Sequence, residues 1–195
     1  MRILRKIYLK FFVPSGFPYA AYLKTRGFLH AQGRDCFISK AANIPDPHLV
    51  CIGDNVWLTS GCQLLCHDAS VIMINIMRNA HFDRVAPIIM GEHCFLGNNT
   101  IILPGITIGS RSIVGAGSVV TGNIPDNSVY AGNPARFICS FEDYAQKIAE
   151  RTKQYPWRDL LKKNEKHVFD PLLENRLIIE RVKYFFERTD QNKES

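Results

Sequence analysis

"IIMGEHCFLGNNTIILPGITIGSRSIVGAGSVVTGN", residues 88–123, decides the fold. Apolar residues recur every six positions, at Met90, Leu96, Ile102, Ile108, Val114 and Val120. Two residues earlier in each hexad stands a small or aliphatic residue: Ile88, Cys94, Thr100, Ile106, Ser112 and Ser118. A spacing of two puts both side chains on one face of a short strand. Glycine follows the apolar position at Gly91, Gly97, Gly109 and Gly115, where it permits a tight turn. A six-residue period would scatter these positions around a helix axis, so an α-helix is excluded. A short strand and a sharp corner, repeated, give three flat sides to a coil, and stacked coils give a parallel β-helix.

Working outward, Val50/Ile52, Val56/Leu58 and Cys62/Leu64 repeat the pattern, with Ile38 and Ile44 as fainter members. Between the two blocks lies "QLLCHDASV", residues 63–71, where Asp68 and Ser70 occupy slots meant for inward residues. From Asp68 to Ile88 is twenty residues, two more than whole hexads allow, so the chain leaves the coil in an extruded loop over about 69–87. The expected organisation is a helical arm at 1–30, a β-helix at 31–139 and a helical extension at 140–195. Arg2, Arg5, Lys6 and Lys10 alternate with large apolar residues in 1–12, which fits an arm packed on the coil or resting on a membrane surface. Ser140 with Asp143 marks a helix start near 141–153, and Asp170-Pro171 starts a second helix running to Phe186.

With 46% hydrophobic residues the chain has enough apolar surface for one sizeable core. The cysteines Cys36, Cys51, Cys62, Cys66, Cys94 and Cys139 form no CxxC pair, and no signal peptide opens the chain, which points to reduced thiols and a cytoplasmic location. No apolar run approaches the ~18–20 residues of a membrane span. The net charge of +6 suits anionic ligands, but the basic residues form no run interleaved with aromatics, which argues against nucleic acid.

His67 falls in the corner after Leu64, so its side chain should point away from the core. Sites tend to lie where loops leave a rigid scaffold. Imidazole is a base near neutral pH, which is what removing a proton from a weakly acidic hydroxyl requires. Asp68 would orient the ring if the corner is kinked. Cys66 offers a rival, a Cys–His nucleophile. His81 lies in the loop with Asp83 and Arg84, where it could touch an acceptor.

The stretch "IIMGEHCFLGNNTIILPGITIGSRSIVGAGSVVTGNIPDNSVYAGNPARFI" resembles the C-terminal half of the hexapeptide-repeat acyltransferases. The likeness is greatest to galactoside and maltose O-acetyltransferases and to the O-acetyltransferases of bacterial surface polysaccharides, and it covers roughly residues 35–139. The resemblance implies a left-handed parallel β-helix, acetyl-CoA as acyl donor, and transfer to a sugar hydroxyl in capsule, O-antigen or exopolysaccharide synthesis. It also implies a homotrimer with each site between two subunits. In the matching segment it makes His67 the catalytic base, and it places coenzyme A on Asn98, Ala116, Thr121 and Arg136.

If the loop adds about fourteen residues, His67 shares one edge with the corners at 97–99 and 115–117. The pattern is departed from where Phe95 replaces a tryptophan, where Gly122 replaces a lysine, and near Phe37, where a substrate-binding asparagine has no match. The other readings are N-acylation of an amino sugar, acetylation of a xenobiotic, a solenoid scaffold, and a metal-dependent hydratase. The hydratase needs an H-x4-H pair that this chain lacks.

Overall fold

The computed structural model describes residues 13–162 and 170–187. The basic arm at 1–12 lies outside the described residues. Two units divide the chain, 1–142 and 143–195.

In the first unit the strands visit three sheets in rotation. The first sheet holds β1 (Ala31–Gln32), β3 (Val50–Ile52), β6 (Ile88–Met90) and β9 (Thr107–Ile108). The second holds β2 (Phe37–Ile38), β4 (Trp57–Leu58), β7 (Phe95–Leu96), β10 (Ile113–Val114), β12 (Ser128–Ala131) and β13 (Arg136–Ser140). The third holds β5 (Gln63–Leu64), β8 (Ile101–Ile102) and β11 (Val119–Val120). Every pairing between named strands is parallel except that of β12 with β13. The hexad explains this path, because each six-residue step supplies one strand and one corner.

The inward positions are those the periodicity selects. Leu58, Leu64, Leu96, Ile102, Ile108 and Val114 are fully buried, and Thr100, Ser112 and Ser118 fill the small slots between them. Each buried hydroxyl has an acceptor: Thr100 donates to the Gly97 carbonyl and Ser118 to the Gly115 carbonyl. The cost of burying a hydroxyl is thereby met. The corners need left-handed backbone, which Asn55, His93, Arg111 and Asn127 adopt between the first and second sheets. At Gly97 the constraint is space, since a Cβ would come within 2.5 Å of the Ala116 nitrogen. Helix α1 (Phe17–Thr25) buries Ala20 and Leu23 in the same core.

Two insertions interrupt the rhythm. Phe95 pairs with Ile113, eighteen residues on, which is three hexads. Asn43 pairs with Gln63, twenty on, and the two extra residues lie before Cys51, which pairs with Ala31. Trp57 pairs with Phe95, thirty-eight on, so the excursion after Gln63 adds twenty residues and not fourteen. Both insertions leave the coil on one edge, between the third sheet and the first. The larger is the extruded loop, and it contains helix α2 (Val71–Arg78), closed by Asn79 in the left-handed conformation.

The described residues of the second unit are mostly helical. Helix α3 (Phe141–Lys153) begins where the capping signal sits, and α4 (Arg158–Leu161) follows. Helix α5 (Pro171–Val182) is capped by Asp170, whose carboxylate accepts from the amides of Leu172 and Leu173. Tyr155, Trp157, Tyr184 and Phe185 pack edge-to-face or stacked within this unit. Among the described residues no helix is long and apolar enough to cross a membrane.

Candidate active site

His67 sits at the root of the larger excursion. A short antiparallel contact, His67 with Val85, closes the loop. The Asp68 amide donates to the Arg84 carbonyl at 3.0 Å and the Ala86 amide donates to the Cys66 carbonyl at 2.8 Å. Cys66 turns inward and is fully buried, so His67 on the next position turns outward, with its side chain 46% exposed. The rigid coil thus fixes the backbone on both sides of the imidazole.

The smaller insertion supplies the ring's partner. Asp46 precedes the 3₁₀ turn Pro47–Leu49, and its Oδ2 stands 2.5 Å from His67 Nδ1. A carboxylate only accepts, so Nδ1 carries the proton and Nε2 is left as the basic nitrogen.

This corrects the expectation for Asp68. Its Oδ1 accepts from the Ser70 amide at 3.0 Å and its Oδ2 pairs with Arg84 at 3.3 Å. Hydrogen bonding by Ser70, backed by the Arg84 charge, holds the Asp68 carboxyl below its usual range. Asp68 anchors the loop and does not hold the ring.

Cys66 is a poor nucleophile here. Burial raises its thiol pKa, which reduces the thiolate available near neutral pH. Burial likewise pushes Cys94 up to about 11. Among the described residues no three His, Cys, Asp or Glu side chains converge as a metal site requires.

Two cavities flank His67. One, of about 380 Å³, lies between the Asp46–Leu49 turn and the excursion, with His48, Asp83, Ile72 and Val85 in its wall. The other, of about 480 Å³, is lined by Leu65, Arg84, Leu103 and Pro104. His67 and Asp68 border both. His81 is exposed on the returning limb and lines neither cavity, whereas Asp83 lines the first.

The four residues matched to coenzyme A are all exposed but divide between edges. Asn98 and Ala116 stand in stacked corners between the second and third sheets, where the Gly117 amide donates to the Asn98 carbonyl at 2.8 Å. Thr121 follows β11 on the opposite edge of the third sheet. It continues the column of Leu65 and Leu103, whose amides bond to the Ile102 and Val120 carbonyls. The Ala135 amide donates to the Val119 carbonyl, which brings Arg136 beside the end of β11.

His67 therefore does not share an edge with Asn98 and Ala116. The excursion is six residues longer than expected, and six residues are one side of the coil. Phe95 lies on the outer face of the second sheet, with its ring centroid 6.4 Å from that of Trp57.

A family model described as the hexapeptide repeat of succinyl-transferase matches residues 87–122. Protein CapG of Staphylococcus aureus is 40% identical over 140 residues, covering 70% of this chain and 79% of that protein. Galactoside O-acetyltransferase of Escherichia coli K12 is 34% identical over 127 residues, covering 65% of this chain and 58% of the enzyme. The match to that enzyme thus spans little more than half of its length. Among solved structures, a hexapeptide-repeat acetyltransferase of Vibrio cholerae complexed with acetyl coenzyme A aligns at 27% identity. Its TM-score is 0.46, over 62% of this chain and 75% of that one.

Proposed function

Since the chain belongs to the hexapeptide-repeat acetyltransferase family, we propose that it transfers an acetyl group from acetyl-CoA to a sugar hydroxyl, with His67 as general base, in the synthesis of a capsule or related surface polysaccharide. The coil takes the left-handed sense implied by its resemblance to that family. The observation that carries the reading is the Asp46–His67 pair, exposed between two cavities. The relative named galactoside O-acetyltransferase supports the acceptor class.

In this reading Nε2 of His67 takes the proton from the attacking hydroxyl as the oxygen bonds to the thioester carbonyl. Asp46 steadies the imidazolium that results. Collapse of the tetrahedral intermediate breaks the C–S bond, and the imidazolium returns the proton to the departing thiolate. The products are an O-acetyl sugar and free coenzyme A. No acyl-enzyme is needed, in keeping with the buried Cys66 thiol. Backbone amides at a corner would meet the oxyanion.

Asn98, Ala116, Thr121 and Arg136 hold the donor in this account, the arginine meeting phosphate charge. Within one chain, Asn98 and His67 stand on opposite edges of the third sheet. A side of about six extended residues separates them, on the order of 15–20 Å. A homotrimer reconciles this: the His67 edge of one subunit faces the Asn98–Ala116 edge of the next, and the site lies between them. A coenzyme A donor puts the reaction on the cytoplasmic side. Free-thiol release with acetyl-CoA and a panel of neutral sugars tests the proposal. Acceptor-dependent thiol release is expected, and none above blank with any sugar would contradict it.

A further inference from the structure

Helix α2, beside the reactive histidine, buries none of its residues. Ile72, Met73, Ile76 and Met77 are 52, 58, 70 and 87% exposed, and Phe82 and Val85 on the returning limb are exposed too. The helix is held by polar contacts. The Asn75 side-chain amide donates to the Phe82 carbonyl at 2.9 Å, and the Phe82 amide donates to Asn75 Oδ1 at 2.7 Å. Apolar packing within one chain therefore does not account for the run of Ile and Met. An exposed apolar patch of this kind marks a binding surface.

Its position says what it binds. Val71 and Ile72 also line the cavity shared by Asp46 and His67. From Ile72 the stripe continues through Met73, Ile76 and Met77, spaced so that they share one side of the helix. An apolar surface that begins inside the reactive cavity and runs outward is continuous with whatever reaches His67. The helix carries no acidic residue and ends in Arg78, so no carboxylate opposes an apolar or anionic group along it. Methionine side chains adapt to a flexible chain.

We propose that α2 is an acceptor subsite: it takes the apolar tail of an amphiphilic acceptor, a glycolipid-like molecule whose sugar occupies the cavity beside His67. This rests on the acetyl-transfer reading above and names its substrate class.

The test compares methyl and n-octyl glycosides of glucose and galactose, used below their micellar range, as acceptors for acetyl-CoA. The octyl glycosides should show a KM lower by about tenfold or more, from burial of several methylenes against α2. In the double variant Ile76→Ser/Met77→Ser the ratio of the two KM values should fall to about one, with circular dichroism confirming an intact coil. Equal KM values in the wild type, or a preference that survives in the double variant, overturns the proposal. So does a drop in sedimentation mass of that variant, since a second copy would then be what covers the helix. Methyl NMR of Met73 and Met77 reads tail binding without turnover. Shifts with octyl and none with methyl glycosides support the subsite even where no acetyl transfer is seen, and absence of shifts overturns it.

Discussion

Asp46 and His67 are 21 residues apart in the chain, yet Asp46 Oδ2 and His67 Nδ1 are 2.5 Å apart. They meet because two insertions of different length leave successive coils on the same edge. If Asp46 fixes the tautomer, Asp46→Asn should lower kcat by about ten- to a thousandfold with little change in KM for acetyl-CoA. Asp68→Asn should stay within a few-fold, since Asp68 is engaged by Ser70 and Arg84. Steady-state kinetics of the two variants checks the pair, and a larger loss in Asp68→Asn would return the orienting role to that residue.

An inward position on β7 and an outward one on the preceding strand, β6, make a second test. Leu96 is fully buried, so Leu96→Ala should cost about 2–5 kcal/mol in urea unfolding. Ile89 faces outward at 44% exposure, and Ile89→Ala should cost less than about 1 kcal/mol. Similar costs at the two positions would mean that the core is not the file of side chains seen here.

Much of the coil was legible because its signal is local. Each buried slot from Ile88 to Val120 follows from the hexad alone. Asp46 was hidden by coincidence: Val50 lies six residues after Ile44, so the two extra residues before Cys51 left the apolar spacing looking regular. Helix α2 was missed for a physical reason. Its "VIMINIMR" is a run of eight residues, apolar but for Asn75 and Arg78, and so short an apolar run reads equally as a strand or a helix. The length of the excursion decided the edge on which His67 sits, and length within a loop carries no periodic signal.

The Arg34–Asp54 pair predicts a pH dependence. The Arg34 amide donates to Asp54 Oδ1 at 2.7 Å and its guanidinium donates to Oδ2, which holds the Asp54 carboxyl below its ordinary value of 3.8. A depressed carboxylate stabilises the fold above its unfolded pKa, and the contribution fades as pH falls through the folded value. Asp54→Asn should therefore be less stable than wild type at pH 7 by a small margin, given the exposure of the pair. The gap should shrink as the pH falls below 3.8 and close once it has passed the lower, folded-state value. Urea titrations at several pH values check this, and a gap that widens on acidification would contradict it.

If each site is shared between two subunits, as proposed, inactive variants should complement one another. His67→Ala and Ala116→Phe chains should each be inactive alone, one lacking the base and the other a clear donor edge. Unfolded together and refolded as a mixture, they should regain about a quarter of the wild-type sites, the share in which intact edges face one another. No recovery in mixed oligomers, confirmed by mass, would place the base and the donor edge in one chain.

The measurement that bears most directly on the central claim is the turnover of His67→Ala with acetyl-CoA and the best acceptor from the sugar panel. The outward side chain holds none of the core, so circular dichroism and acetyl-CoA affinity should match wild type. Turnover should fall by ~10²–10⁴, the range for losing a positioned base. Near-wild-type turnover in a folded His67→Ala protein would contradict the account.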